Sequence, residues 1–252
     1  MENREYRQII GSDDAPYINE LAGRYGLATS YYGIRHPSEP NYIAAVAGST
    51  LGVTDDGRYD LDASSLFDQL EAAGRSWHVY AQDVPDGCFT GSSYRGGPDG
   101  PGRAGTYVRK HNPAISFRAI SSNPARCRHI SKLASFEPGS ADFALIVPNL
   151  TNDMHDGSTA DGDRFLRELV PLITSSPAFE NGVVFITWDE GTTNLDGGGH
   201  IATLAVRLGI EGPFRSARRH DHYDLLRTVE DVFGLECLRN ACDGRALLEF
   251  LQ

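Results

Sequence analysis

The clearest strand signal in the chain is the run GVVFIT at Gly182–Thr187, which is followed at once by Trp188-Asp189-Glu190. A second apolar run covers Ala141–Val147 and stops at Pro148. Runs that are apolar without alternation are typical of strands buried on both faces of a parallel sheet. We therefore predict that both runs are buried strands, with polar residues close to their carboxyl ends.

Helical patterns separate the predicted strands. Between the two apolar runs, Ala160–Ser175 places Phe165, Leu166 and Leu169 on one face at helical spacing. The other main predicted elements are helices at Ala15–Tyr25, Ser64–Ala73 and Tyr223–Phe233 and strands at Ala28–Tyr32, Trp77–Tyr80 and Ile201–Leu208. Strands that alternate with helices predict an α/β fold, here a three-layer α/β/α sandwich with a mainly parallel central sheet.

The segment from about residue 87 to 109 is rich in glycine, proline and serine and shows little periodicity. Folded patterns resume on both sides of it, so we predict a long loop or lid within one domain and not a linker between two. The whole chain, residues 1–252, is accordingly predicted to form a single domain.

The chain carries a formal net charge of −11. This acidity argues against a surface that binds nucleic acid or an anionic membrane, because no basic excess is available to neutralise phosphates. It does not exclude a phosphate ester as substrate, since a bound metal ion can reverse the field within one pocket. The sequence shows no signal peptide and no transmembrane run.

The four cysteines, Cys88, Cys127, Cys237 and Cys242, form no CxxC pair. Cys237 and Cys242 bracket a short loop that a disulfide could close, and the other two would then staple the long irregular segment between them. Two disulfides would indicate an oxidising compartment, whereas four free thiols would indicate the cytoplasm. We favour two disulfides and a secreted or periplasmic protein, which requires a leader that is removed and is not part of this sequence.

A serine lies between two prolines in the run HPSEPNY, His36–Tyr42. The prolines predict a stiff, non-helical elbow at Ser38, with a helix over Asn41–Val46 that Asn41 caps. A serine beside a helix N-terminus faces free backbone N–H groups, which favours an anionic substrate such as phosphate. The alternative interpretation is a proline-rich turn in which Ser38 is only a local cap.

Asp189 and Glu190 are adjacent carboxylates at the end of an apolar strand. Like charges this close are costly unless a cation neutralises them or one of them takes a proton. The alternative interpretation is a helix cap and a solvated acid on a loop.

Four motifs occur together in one order: MENR (1–4), HPSEPNY (36–42), PNLTNDMHD (148–156) and WDEG (188–191). In this combination they resemble the phosphoesterase family of bacterial acid phosphatases and phospholipases C, within the alkaline-phosphatase-like superfamily. The resemblance runs from Glu2 to the Asp221-His222-Tyr223 segment and beyond, and it implies the fold of that superfamily. In the family an apolar strand leads into the first motif, so we expect Glu2 and Asn3 to follow a strand absent from this sequence, which leaves a place in the sheet open.

The resemblance implies one divalent metal ion in a site formed by Glu2, Asn3, Ser38, Asp189 and Glu190. Carboxylate, amide and hydroxyl oxygens favour calcium, magnesium or manganese over zinc.

The resemblance also implies roles in catalysis. Ser38 would be the nucleophile and would form a phosphoserine. His155 and His200 would protonate the leaving oxygen or orient the attacking water, although His200 is equally well interpreted as a loop histidine before a strand. The expected substrate-binding residues are Asn41, His111 and Asp156.

The predicted function is hydrolysis of small, soluble phosphomonoesters by a metal-dependent, acid-phosphatase-like enzyme. The alternatives are a phospholipase C-like phosphodiesterase and a non-catalytic metal- or phosphate-binding protein of the same fold. Glu39 departs from the family, which usually has an apolar residue there, and we expect it to point to solvent because Pro40 fixes an outward elbow. The sequence leaves the oligomeric state open.

Overall fold

The computed structural model describes residues 1–209 and 213–251, so the predicted single domain also includes four residues outside the described part. The helices are α1 (Tyr6–Ile9), α2 (Pro16–Arg24), α3 (Ser38–Ala47), α4 (Leu66–Ala72), α5 (Arg118–Ser121), α6 (Pro124–Cys127), α7 (Thr159–Thr174) and α8 (His222–Phe233). The strands are β1 (Gly26–Tyr32), β2 (Trp77–Ala81), β3 (Ser93–Arg95), β4 (Thr106–Val108), β5 (Ile130–Ser131), β6 (Phe143–Val147), β7 (Val183–Thr187), β8 (His200–Arg207), β9 (Phe214–Ser216) and β10 (His220–Asp221).

Local sequence explains where the main helices begin and end. Helix α7 starts at a capping box in which Ser158 and Asp161 each accept a hydrogen bond from the other's backbone N–H. Helix α8 starts where the Asp221 side chain accepts hydrogen bonds from the first turn, and it ends at Gly234 in the left-handed conformation. Asp221 is therefore the N-cap of α8.

The α/β class is confirmed, but the prediction of a mainly parallel sheet is not, because the larger sheet is mixed. Its order is β10-β1-β8-β7, with β9 also paired to β1. Strand β8 runs antiparallel to both of its neighbours, whereas β9 and β10 run parallel to β1. The residues between β7 and β8 contain no helix, so the chain turns back instead of crossing over. An apolar run does not report strand direction, which is why the sequence missed this. The predicted full burial of both runs is also wrong, because β6 and β7 are end strands of the described sheets and most of their residues are only partly buried.

A second sheet, β5-β2-β6, is parallel throughout. In the described part of the chain, no strand pairs with the free edge of β6 or of β7. The first two residues lie between the ends of these strands. The Met1 ammonium donates to the Thr187 carbonyl (3.1 Å), Asp189 N–H donates to the Met1 carbonyl (2.9 Å) and Glu2 N–H donates to the Asp153 carbonyl (2.7 Å). Backbone hydrogen bonds thus place Glu2 where the two sheets end.

The apolar side chains form two hydrophobic clusters. Helices α2 and α7 contribute to the first cluster, together with β1, β7 and β8. Helices α3, α4 and α8 contribute to the second cluster, together with β2. Helix α3 packs against α8. Because Ser38 is the first residue of α3, this packing helps to fix its position.

The segment predicted as a long loop contains a small hairpin, because β3 pairs with β4. Between these strands, the buried Asp99 carboxylate accepts hydrogen bonds from Asp83 N–H and Ala134 N–H, both at 2.7 Å. These bonds anchor the segment to the second sheet. Among the described residues, no helix is both long and apolar enough to cross a membrane.

The favoured disulfides are confirmed: Cys88 bonds to Cys127 and Cys237 bonds to Cys242. They close loops with sequence separations of 39 and 5 residues. A longer closed loop removes more entropy from the unfolded chain.

Replacing Cys88 and Cys127 together by serine is expected to lower the free energy of unfolding by about 4 kcal/mol, against about 2 kcal/mol for Cys237 and Cys242, because loop-closure entropy grows with loop length. Urea unfolding of both double variants beside the oxidised protein measures the difference. Equal losses in the two variants would contradict the loop-length account.

Candidate active site

Ser38 is the first residue of helix α3 and is only 1% exposed. The helix therefore begins at the serine itself. The two prolines had instead suggested that it begins after the serine. Pro40 fits because the first-turn residues of a helix have no intrahelical partner for their N–H groups. The predicted placement of Ser38 beside a helix N-terminus is confirmed, and the position of that terminus is corrected.

Asn41 does not cap the helix. Its side-chain oxygen accepts hydrogen bonds from Ile34 N–H (2.8 Å) and Arg35 N–H (3.2 Å), and its amide donates to the carbonyls of Arg35 and Pro37. Asn41 thus fixes the loop between β1 and α3 by bonds to the backbone. Both amide hydrogens are used in this loop, so the predicted contact of Asn41 with substrate is not supported.

The Ser38 hydroxyl lies between two carboxylates, those of Glu2 and Glu190, that are far apart in the sequence. Its Oγ is 3.1 Å from Glu2 Oε2 and 3.3 Å from Glu190 Oε1. The other oxygen of Glu190, Oε2, is 2.7 Å from His36 Nδ1. His36 Nε2 in turn lies 2.8 Å from the Thr193 carbonyl, which fixes the orientation of the ring.

The second oxygen of Glu2 faces a buried aromatic pair. Tyr42 donates its hydroxyl hydrogen to Glu2 Oε1, and its ring stacks on His111 with the centroids 5.1 Å apart. His111 Nε2 lies 3.4 Å from Glu2 Oε1, and its Nδ1 lies 3.1 Å from Asp153 Oδ2. His111, which the sequence had suggested as a substrate-binding residue, is therefore buried between two acids.

Asn3 and Asp189 also lie together, as expected. The Asn3 backbone N–H is 3.3 Å from Asp189 Oδ1. Asp189 Oδ2 is buried and has no hydrogen-bond partner among the described residues. The Asp189 carbonyl accepts a 2.6 Å hydrogen bond from His222 Nε2, so His222 supports the segment that carries the two acids.

Four carboxylates, Glu2, Asp153, Asp189 and Glu190, are thus buried in one small region. Burial, together with the charges of Asp189 and Asp153, raises the pKa of Glu2 well above its ordinary value. Burial and Asp189 raise the pKa of Glu190 to about 7, and burial, with a smaller contribution from the Asp156 charge, raises the pKa of Asp153 to about 7. Buried like charges are stable only when protons or a cation compensate them.

The residues fit a divalent cation in two overlapping arrangements. Donor atoms of Glu2, His111 and Asp153 all lie within 4.8 Å of one another. The predicted oxygen set fits because Glu2 and Glu190 already converge on Ser38 Oγ and Asp189 has an unpartnered oxygen. His111 Nε2 is also buried without a hydrogen-bond partner among the described residues, so this nitrogen can bind an ion while Nδ1 stays against Asp153.

His155 lies at the edge of this region. Its Nδ1 is 2.7 Å from Asp156 Oδ1, and its backbone N–H donates to Asp153 Oδ1 at 2.7 Å. Its ring centroid is 5.7 Å from that of His111. The half-buried ring can therefore reach both the site and solvent, with its orientation set by Asp156.

His200 lies elsewhere. Its Nε2 is 3.0 Å from the Thr29 carbonyl, and its ring stacks between Tyr6 and Tyr32 at centroid distances of 4.6 and 5.1 Å. These contacts hold the ring against β1 and α1, which argues against the predicted direct role in catalysis. The interpretation as a histidine entering a strand agrees with its place as the first residue of β8.

The expectation that Glu39 points to solvent is wrong, because its side chain is fully buried. Its Oε1 accepts a hydrogen bond from Ser116 Oγ at 3.2 Å. Burial raises the pKa of Glu39 to about 7, and the nearby Arg109 guanidinium opposes this rise. The helix starts at Ser38, three residues before the predicted start at Asn41, and this directs Glu39 into the second core.

Sequence analysis assigned no role to His36 or Tyr42 and did not include Asp153 among the site residues. All three lie within the recognised motifs, so membership of a motif was the available signal. Their partners, Glu190, Glu2 and His111, are distant in the chain, and their spacing does not reveal the contacts.

A family model described as the Phosphoesterase family matches residues 8–236 of the chain. The chain belongs to this family. The resemblance inferred from the motifs is thereby confirmed over most of the chain, residues 8–236.

Two curated relatives of this phosphoesterase are named as phosphatases. An acid phosphatase from Aspergillus fumigatus is 30% identical over 264 residues, which cover 100% of this chain and 57% of the relative. A phosphatidylinositol-3-phosphatase from Mycobacterium tuberculosis is 31% identical over 237 residues, which cover 93% of this chain and 75% of the relative. The phosphoesterase thus spans little more than half the length of the fungal relative.

A solved structure is also similar to the phosphoesterase. A protein in the alkaline phosphatase superfamily from Vibrio parahaemolyticus has a TM-score of 0.62 at 11% identity, covering 96% of this chain and 68% of that chain. At this identity the similarity shows the fold alone, which is the one that the motifs implied.

In the presence of a chelator, the protein is expected to become less stable as the pH rises from about 5 to about 8. In the folded protein the pKa values of Asp153 and Glu190 are raised from 3.8 and 4.5 to about 7. Both side chains therefore keep a proton in the pH range between these values. The unfolded chain has already released these protons, so deprotonation at higher pH disfavours the folded state.

A divalent cation should remove most of this loss, because it replaces the protons between the carboxylates. Melting temperatures measured across this pH range, with chelator and with magnesium, test the prediction. Buried Glu39 and Glu230 titrate in the same range, so the difference between the two series is the relevant quantity. A difference that stays constant with pH would contradict the account.

Proposed function

We propose that the protein is a metal-dependent phosphoesterase that hydrolyses small phosphomonoesters, with Ser38 as the nucleophile. The observation that carries this proposal is the position of the Ser38 hydroxyl, at the N-terminus of α3 and between the carboxylates of Glu2 and Glu190. The names of the two relatives support a phosphoester as the substrate.

One divalent ion fits the site with Glu2, Asn3, Ser38, Asp189 and Glu190 around it. When bound, it would supply positive charge that favours the ionised form of the serine and attracts the phosphoryl oxygens. Oxygen ligands favour calcium, magnesium or manganese over zinc.

The residues of the chain perform the remaining steps. Ser38 Oγ attacks phosphorus while its proton passes to a neighbouring carboxylate, and the bond between phosphorus and the leaving oxygen breaks. The positive end of helix α3 stabilises the charge on the phosphoryl oxygens. Water then hydrolyses the phosphoserine, releasing phosphate and restoring Ser38.

We assign protonation of the leaving oxygen to His155. Its ring is half-buried at the edge of the site, and Asp156 Oδ1 at 2.7 Å from Nδ1 fixes the ring with Nε2 3.4 Å from Lys110 Nζ. A histidine so placed can donate a proton to an alcohol product and later accept one from the attacking water. Asp156 therefore acts by orienting His155.

We also propose that the protein works in an oxidising compartment, secreted or periplasmic. The two disulfides support this location, since such bonds persist outside the cytoplasm.

Replacing Ser38 by alanine is expected to lower kcat for p-nitrophenyl phosphate at least about a thousandfold, because the attacking atom is lost. The matched control is Ser30→Ala, a half-buried serine on β1 that should retain turnover. Acid quenching followed by mass spectrometry should find one phosphoryl group on the peptide with Ser38. Substantial turnover by Ser38→Ala would overturn the proposal.

The same assay separates the alternative functions. Chelator should abolish turnover, and added magnesium, manganese or calcium should restore it. Faster turnover of bis(p-nitrophenyl) phosphate would indicate a phosphodiesterase. A folded protein that turns over neither substrate would indicate the non-catalytic binding function.

Replacing His155 by asparagine should slow hydrolysis of an alkyl phosphate about a hundredfold, but should slow p-nitrophenyl phosphate far less, because nitrophenolate leaves without a proton. His200→Asn is the control, and any effect it has should be equal for both substrates. Equal slowing of both substrates by His155→Asn would contradict the assignment.

A further inference from the structure

We propose that Asp56 competes with substrate: its carboxylate occupies the position beside Ser38 that a phosphoryl group takes, and the substrate displaces it. This inference rests on the proposed function and adds to it a residue that sets phosphate affinity. It is carried by the contacts of Asp56 with two groups that bind anions.

The first group is the start of helix α3. Asp56 Oδ1 accepts a 3.0 Å hydrogen bond from the backbone N–H of Glu39, the residue directly after Ser38. Such first-turn N–H groups have no partner within the helix and lie at its positive end, where anions are stabilised. A carboxylate of the protein therefore holds the helix terminus next to the nucleophile.

The second group is a lysine. Asp56 Oδ2 is 2.7 Å from Lys110 Nζ, and Lys110 Nζ is 3.4 Å from His155 Nε2. The pair Asp56–Lys110 thus connects the start of α3 to the loop that carries His155. Because the Asp56 carboxylate already binds Lys110 Nζ, the lysine is not available to anions from solvent.

The pair is also closer to solvent than the serine. The Asp56 and Lys110 side chains are 28% and 19% exposed, whereas Ser38 is 1% exposed. In the proposed displacement, a phosphoester that approaches Ser38 from this side meets the ion pair first and takes the place of Asp56.

A phosphoryl group can replace Asp56 with the same geometry. Its oxygens can accept from Glu39 N–H and from Lys110 Nζ at once, as the two carboxylate oxygens do, and its larger charge strengthens both bonds. Asp56 lies in an exposed bend, residues 54–58, outside the helices and strands. Its withdrawal uncovers no hydrophobic core.

The test is Asp56→Asn, compared with Asp55→Asn as a control that removes the same charge one residue away. Asp55 contacts Tyr59 and lies outside the site. In magnesium buffer, Asp56→Asn should lower both KM for p-nitrophenyl phosphate and Ki for inorganic phosphate about fivefold, with little change in kcat. Asp55→Asn should change both by less than about twofold, because its charge is more distant and screened.

A purely structural role of Asp56 predicts the opposite result. If Asp56 only supported α3, Asp56→Asn would leave KM unchanged or raise it, and either outcome overturns the inference. Should the asparagine variant not fold, Asp56→Ser serves instead, since serine also accepts hydrogen bonds at a helix start.

A double-variant cycle tests the partner. In a protein that carries Lys110→Met, Asp56→Asn should change Ki less than about half as much as it does when Lys110 is present. The reason is that the lysine that Asp56→Asn would free for phosphate is absent. An undiminished effect would show that Lys110 is not the group that Asp56 occupies.

Failure of this inference is distinguishable from failure of the proposed function. Turnover that Ser38→Ala abolishes, combined with unchanged phosphate affinity in Asp56→Asn, rejects only the role of Asp56. If the protein has no turnover, calorimetric titration with inorganic phosphate still decides the matter, since Asp56→Asn should bind it more tightly than the unaltered protein.

Discussion

The electrostatic cost of burying Glu2, Asp153, Asp189 and Glu190 together is the constraint on which this structure depends. In a region of low dielectric, like charges a few ångströms apart repel strongly, and each also loses its hydration. Tyr42 and His36 offset part of this cost by binding the outer oxygens of Glu2 and Glu190. The remainder requires protons or a cation, and the raised pKa values of three of these acids express that requirement.

The fold meets this constraint by fixing the acids through the backbone. Met1 and Glu2 form hydrogen bonds on one side to the end of β7 and on the other to the loop after β6, so the position of Glu2 does not depend on its own side chain. Ser38 is fixed by the packed helix that it begins, and Asn41 holds the loop before it. A site whose members lie on rigid elements keeps its geometry when its charge state changes.

The fold and the site contribute different kinds of evidence about function. The likeness to the alkaline phosphatase superfamily describes an arrangement of helices and strands, which supports many chemistries. The oxygen-rich surroundings of Ser38 suit a divalent cation, which is the chemistry that the proposed function uses, and the proposed role of the pair Asp56–Lys110 adds a control on which anions bind. Membership of the phosphoesterase family agrees with this chemistry.

Local patterns in the sequence were enough to predict the α/β class and the main helices and strands, because burial and helical periodicity are local properties. The family resemblance carried by the short motifs singled out Glu2, Ser38, Asp189 and Glu190, which the structure brings together. The local patterns did not predict that β8 runs antiparallel to β1 and β7, since an apolar run is compatible with either direction. They also misplaced Glu39, His111 and Asn41, and they assigned His200 a role that its position against β1 does not support. The surroundings of these side chains are decided by which distant segments pack beside them, and only the tertiary structure determines that packing.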